Sequence, residues 1–245
     1  MKIFFPILAS VFVLLGGSLF AQPENPDTSA SDVESPLSIS DSPNVLRGLP
    51  VPLFDGQSLD GWCRKDGEPS QNWRVVDGTL YRASGGGDLY HRNWFRDFEL
   101  SFEWRIEKGG NSGVKYRVQP YGKQMLGCEY QIQDDAGQPG TVHSTGSIYA
   151  VVEPSKNKVQ NPLDQWNRSR IVVCGNDVEH WLNDQRIVST RIGQLDWLQR
   201  VGKSKFHDKE FFGQNREGRI FLQDHGNPVW FRNIMLVPLD ADICR

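Results

Sequence analysis

Cysteine is scarce in this 245-residue chain, charge of one sign does not dominate, and long helical periodicity is missing. The four cysteines, Cys63, Cys128, Cys174 and Cys244, are too few and too scattered for a disulfide-built scaffold. None forms a C-x-x-C pair, so zinc-ribbon and thioredoxin-type readings have no support; zero, one or two disulfides remain open. A net charge of −3 lacks the basic stripe of a nucleic-acid binder. There is no H-E-x-x-H for a zincin and no G-x-S-x-G elbow for a serine hydrolase. Gly85-Gly86-Gly87 has no G-K-[ST] continuation, so it reads as a loop and not as a phosphate cradle. Asn167-Arg168-Ser169 matches a glycosylation sequon, a pattern short enough to arise by chance. No repeat of 20–50 residues is visible.

What is present begins with a targeting segment. Lys2 precedes an apolar run over residues 3–20 and a small residue, Ala21, which reads as a secretory signal peptide over 1–21. An extracytoplasmic location follows, with membrane contact only if that segment stays uncleaved. Residues 22–48 are rich in Pro, Ser, Asp and Glu and read as a disordered tether, because they offer too little apolar surface to offset ordering entropy. The folded domain is expected over 49–245.

That domain is strand-rich. Phe98, Leu100, Phe102 and Trp104 alternate with Glu99, Ser101, Glu103 and Arg105. Val114, Tyr116 and Val118 alternate with Lys115, Arg117 and Gln119, and Tyr130 and Ile132 with Glu129, Gln131 and Gln133. Further strands are read over 170–174, 178–182, 218–223 and 229–237, with turn pairs at Asn176-Asp177 and Asn183-Asp184. One helix is read over 196–205. Short strands spaced by turn residues indicate an all-β sandwich or jelly roll with a short helix.

If the aromatic sides line the core, the opposite sides carry Glu103, Arg105, Lys115, Arg117, Glu129, Gln131 and Gln133. A solvated sheet face is polar in any case. Carboxylates, cations and amides interleaved near aromatics are, however, the chemistry that holds a polyhydroxylated ligand. His225, in Gln223-Asp224-His225-Gly226, ends a strand and is the histidine with a candidate site context; His143, His180 and His207 have none, and His91 reads as superficial.

The motifs become specific in combination. Leu53-Phe54-Asp55-Gly56, Trp73 with Asp77-Gly78-Thr79-Leu80, Asp97-Phe98-Glu99-Leu100 with Glu103-Trp104-Arg105, Gly110-Asn111-Ser112-Gly113, Glu129-Tyr130-Gln131-Ile132-Gln133-Asp134, Gly146-Ser147-Ile148-Tyr149 and Gln223-Asp224-His225-Gly226 occur in one order. The set resembles the 3-keto-disaccharide hydrolase domain family over residues 49–239. The resemblance implies a concanavalin-like jelly roll of two antiparallel sheets, related to laminin-G and lectin sandwiches, and an extracytoplasmic enzyme that cleaves 3-keto-glycosides. Gln138 stands where the family often has a histidine.

A 3-keto group acidifies the hydrogen on C2, so the reaction needs a base, an acid for the leaving oxygen and a partner for the enolate. His225, Glu129 and Glu103 are the catalytic candidates, expected to share one pocket. Arg105, Lys115, Gln131 and Gln223 are expected to bind substrate, and Asn111 to shape a tight turn beside the site. Asp134 is a substrate or calcium ligand candidate, although no dense carboxylate cluster supports a metal site. The rival readings are a non-catalytic carbohydrate-binding module, which would disperse the carboxylates, and a structural surface domain with a flat face.

Overall fold

The alternation read as strands also sets which side chains are buried. Strand β6 (Phe98–Ile106) buries Phe98, Leu100, Phe102, Trp104 and Ile106 and turns Glu99, Ser101, Glu103 and Arg105 away from the core. The computed structural model describes residues 47–82, 86–136, 140–240, 242 and 244; residues 1–21, read above as a signal peptide, nearly all of 22–48, read as a tether, and Gln138 lie outside the described residues.

Antiparallel pairing builds two sheets. The larger has the order β11 (Gln185–Arg191), β10 (Asp177–Leu182), β9 (Asn167–Cys174), β6, β13 (Val229–Pro238), β4 (Thr79–Arg82) and β3 (Trp73–Val76), with β1 (Val51–Pro52) also on β13. The smaller runs β2 (Trp62–Cys63), β5 (Leu89–Phe95), β12 (Gly218–Leu222), β7 (Asn111–Tyr121) and β8 (Gln124–Gln133). The result is the concanavalin-like jelly-roll sandwich. Pairing with the end of β13 already begins at Arg47, which bridges Leu239, and at Gly48, whose N–H donates to Pro238 O.

The core lies between the sheets. Leu100, Phe102 and Trp104 of one sheet meet Val114, Tyr116, Tyr130 and Ile132 of the other, and each such side chain contributes about 1.5–3 kcal/mol by leaving water. A buried polar bridge crosses the core: the Tyr116 hydroxyl and His180 Nε2 lie 2.9 Å apart, and His180 Nδ1 is 2.9 Å from Gly146 O. The Cys174–Cys244 disulfide ties the last residues to β9. Cys63 and Cys128 are free and buried.

Local chemistry explains the turns. Asn183 and Asp184 both take left-handed φ, 46° and 65°, as a tight two-residue hairpin between β10 and β11 requires. Asp77-Gly78 does the same for β3 and β4, with φ of 48° and 72°.

Three expectations are corrected. A bulge between Tyr116 and Gln119 breaks the alternation of β7. Arg117, at φ 54°, therefore turns inside, fully buried, and donates to Gly175 O, while Val118 packs outside with Cys63, Tyr90 and Phe221. His91 is buried, edge-on to Trp62 at 5.1 Å, because pairing of β2 with β5 sets Trp62 directly across from it and Phe95 packs beside it. The helix α1 (Leu195–Gly202) stops short of Lys205; Trp197 and Val201 bury its inner face, and the chain then turns to carry Lys205 and Phe206.

Candidate functional site

The outer face of the five-stranded sheet is built in rows by strand register. Phe221 pairs with Tyr90 and Lys115, and Lys115 with Glu129. In the next row Gln223 N–H donates to Gly113 O, and Gly113 pairs with Gln131. Residues 146–149 then add a further backbone rung outside β8: Gly146 N–H donates to Gln131 O at 2.8 Å and Tyr149 N–H to Glu129 O at 3.0 Å. Tyr149 is thereby fixed beside Glu129.

Over these rows opens a cavity of about 580 Å³, with Tyr90 and Phe221 as an aromatic floor and Asp88, Lys115, Glu129 and Lys205 among its walls. The two floor rings are 4.4 Å apart. Beyond α1, Phe206 stacks on Phe212 at 3.9 Å, and Phe212 on Trp197 at 6.4 Å, so the loop bearing Lys205 is anchored to the helix by three rings.

Glu129 is the centre of the electrostatics. Burial pushes its carboxyl above the usual carboxylate range, opposed by Lys115, Lys205 and His225. Lys115 Nζ is 3.3 Å from Glu129 Oε2 and 5.2 Å from the Phe221 ring centroid. Lys205 Nζ sits 4.2 Å from the Tyr149 ring centroid; burial lowers its pKa, the Glu129 charge opposes that and the Lys115 charge adds to it. Burial, with Glu129 second, raises the Tyr149 hydroxyl. The floor of this cluster depends on Gly113, whose missing Cβ would lie 2.6 Å from Glu129 Oε1.

The amides form the hydrogen-bonding part. Gln131, only 2% exposed, donates from Nε2 to Asn111 Oδ1 at 3.1 Å and to Gln133 Oε1 at 3.2 Å. Its Oε1 and the Oε1 of Gln223 are buried acceptors with no hydrogen-bond partner among the described residues. These two carbonyl oxygens leave hydrogen-bonding capacity unused on this face.

His225 is exposed on the loop after β12 and is linked to the cluster through its charge interaction with Glu129. The preceding residue holds that loop. Asp224 forms a buried ion pair with Arg82 at 2.6 Å, and its carboxylate accepts from Gly87 N–H at 2.8 Å and Gly226 N–H at 2.9 Å.

The structure thus brings together Glu129, Lys115, Gln131, Gln223 and Asn111, with His225 nearby, and separates the rest. Glu103 and Arg105 lie on β6 of the other sheet, on its outer side, with the whole core between them and Glu129. Glu103 is held by Arg232 at 2.7 Å and Asn233 at 3.0 Å. Arg105 lies over the rings of Trp230 and Trp166, at 4.4 and 5.4 Å. The expectation that Glu103 shares a pocket with Glu129 and His225 fails: alternation shows that a residue faces outward but not which of two outer faces it joins. Asp134 braces a turn, accepting from Gly109 N–H at 2.9 Å and Ala136 N–H at 3.1 Å. Asn111 opens β7 and its side chain orients Gln131; the turn itself is made by Gly109, at φ 71°, and Gly110. No group of three or more His, Cys, Asp or Glu side chains converges as a metal site among the described residues, so the donor set for calcium at Asp134 is not assembled.

Three residues escape the sequence reading. Asp88, raised in pKa chiefly by burial, is the second carboxylate of the cavity. Tyr149 stood at the end of Gly146-Ser147-Ile148-Tyr149, a signal that marked it without a role. Lys205 had no signal beyond its place after a helix.

Comparison with known proteins agrees with this architecture. The profile of a 3-keto-alpha-glucoside-1,2-lyase-like domain matches residues 50–237. A curated Bacteroides thetaiotaomicron protein named 3-keto-disaccharide hydrolase is 30% identical over 98% of this chain and 99% of its own. A solved Parabacteroides distasonis structure, provisionally described as a glycosyl hydrolase, superposes with a TM-score of 0.71 at 31% identity, covering 78% of this chain and 94% of that one. A Bacillus subtilis protein with a galectin-like fold shares the architecture alone, with a TM-score of 0.50 at 7% identity over 79% of this chain and 96% of its own.

Proposed function

Since the chain belongs to the family of 3-keto-alpha-glucoside-1,2-lyase-like domains and is carbohydrate-active, we propose that it cleaves 3-keto-glycosides by elimination across C1 and C2, followed by hydration. The supporting observation is Glu129: a buried carboxyl with a raised pKa, flanked by two ammonium groups and set beside two orphan amide oxygens.

The ketone at C3 makes the C2 proton removable. A base takes that proton, the electron pair delocalises onto the C3 oxygen, and the C1–O bond then breaks with a proton delivered to the leaving oxygen. Water adds across the resulting double bond to give the free 3-keto sugar. Glu129 and His225 divide the two proton transfers, and the burial that raises the Glu129 pKa favours its protonated form. Lys115 and Lys205 stabilise the enolate oxygen. Gln131 and Gln223 accept from ring hydroxyls, and Tyr90 and Phe221 underlie the apolar face of the sugar.

The location we propose is outside the cytoplasm, through the segment at residues 1–21. The Cys174–Cys244 bond supports this, since structural disulfides persist mainly in oxidising compartments.

The test is incubation of the purified protein with 3-keto-trehalose and 3-keto-glucosides, following release of the second group. Glu129→Gln and His225→Ala are expected to lower turnover by about 10²-fold or more, with binding weakened much less. Wild-type turnover in both variants would overturn the assignment. A wild type that binds glycans but releases nothing would make the domain a binding module.

A further inference from the structure

Enolate stabilisation calls for positive charge next to Glu129, and Lys115 and Lys205 supply it. The cavity carries more. Lys65 and Lys209 line the same space, so four ammonium groups face the two carboxylates Asp88 and Glu129. The space continues past Lys65, Asp88 and Tyr90 into a second depression of about 580 Å³, closed by Arg64, Asp66, Gly86 and Gly87.

Partners account for part of this charge. Arg64 pairs with Asp66 at 2.7 Å, Lys115 with Glu129 at 3.3 Å and Lys209 with Asp208 at 2.8 Å. Lys65 donates to the backbone oxygen of Lys123 at 3.2 Å and forms no ion pair with a carboxylate among the described residues. Lys205 likewise has aromatic neighbours, the rings of Tyr149 and Phe206, and no carboxylate within ion-pair distance among the described residues. Lys65 stands with Asp88 where the two depressions meet, so an ammonium held in no ion pair among the described residues marks the passage from the cleavage site to the space beyond it.

We propose that the second depression takes an anionic sugar, so that the substrate is a glycoside bearing a carboxylate or sulfate on the ring beyond the cleaved bond, with Lys65 as its counter-ion. The position of that bond rests on the reading above; the charge preference does not. An ammonium already placed at the entrance raises both affinity and encounter rate for an anion, and salt screens that gain.

The experiment measures binding by calorimetry to a glucosyl-glucuronate, a sulfated glucosyl-glucose and neutral glucosyl-glucose, each plain and 3-oxidised, at low and high salt. Binding of one or both acidic ligands about tenfold tighter than the neutral one at low salt is expected, collapsing at high salt; which of the two gains identifies the anion. Lys65→Gln, at an exposed position, should remove most of the preference while changing neutral binding less. Equal affinity for all three ligands, or a preference untouched by Lys65→Gln, would overturn the proposal. Cleavage of a neutral 3-keto-glycoside without acidic preference would overturn it while the reaction stands. Acidic preference without cleavage of any 3-keto-glycoside would uphold it while the reaction falls.

Discussion

Gly113 and Glu129 share a space that admits no other side chain at position 113: a Cβ there would lie 2.6 Å from Glu129 Oε1 and 3.1 Å from its Cγ. Gly113→Ala keeps an allowed backbone but must push the carboxylate off Lys115. Turnover of a 3-keto-glycoside by the folded fraction is expected to fall by about 10²-fold, with a loss of stability as well because the displaced carboxylate is buried. Retained turnover would show that the position of the carboxylate is not critical.

Glu103→Gln tests the separation of the two outer faces. Its pair with Arg232 is half open to water and contributes about 0–1 kcal/mol. Turnover and sugar affinity should match wild type, and urea unfolding should shift slightly. A large loss of turnover would contradict the placement of Glu103 behind the core.

Asp224→Asn should act differently. It removes the charged partner of a buried ion pair with Arg82, at a cost of about 3–5 kcal/mol. Because the same carboxylate holds the backbone of Gly226, just after His225, and ties it to Gly87 of the neighbouring loop, turnover should drop even at temperatures where the variant stays folded. Denaturant unfolding and a rate measurement on the folded fraction separate the two effects.

Acid should destabilise the domain through His180. Burial pushes its imidazole down from 6.5 to about 4. Between those values the unfolded chain binds a proton that the folded chain refuses, so stability is lost as pH falls from about 6.5 toward 4, approaching about 3 kcal/mol from this residue. Burial shifts His91 the same way. Urea midpoints measured from pH 7 to pH 4 should decline across this window; a flat profile would mean that the fold takes up these protons as readily as the unfolded chain.

Reduction should cost stability as well. The Cys174–Cys244 bond closes a loop with a sequence separation of 70 residues, and opening it is expected to lower stability by roughly 2–4 kcal/mol. Unfolding with and without a thiol reductant checks this.

Period-two alternation made the sheets legible because one face of each strand must meet the core, as Phe98 to Trp104 and Tyr130 to Ile132 do. The same signal failed at Arg117, where a bulge shifts the register by one residue and exchanges inside for outside. Glu129, Gln131 and Lys115 were legible as a set because neighbouring strands β7 and β8 carry them in register. Glu103 was misplaced because its polar neighbours on β6 look alike in sequence, and sheet membership is a long-range property. Lys205, Asp88 and Tyr149 reach the site from a loop, from the residue before β5 and from an added rung. Their positions are set by tertiary packing, such as the Trp197–Phe212–Phe206 stack, and carry no local periodicity.

The rung formed by residues 146–149 has a bearing on solubility. On its open side β8 would display a row of bare amides and carbonyls, a template for strand exchange with a second molecule. Gly146, Ser147 and Tyr149 engage that row through Gln131 and Glu129, and the segment beyond is clasped by Lys158, which contacts Asp135 at 2.6 Å and also donates to Thr145 O. The loop that delivers Tyr149 to the cavity therefore also guards the sheet against aggregation. Loosening it for the sake of a larger cavity would expose a strand edge open to self-association.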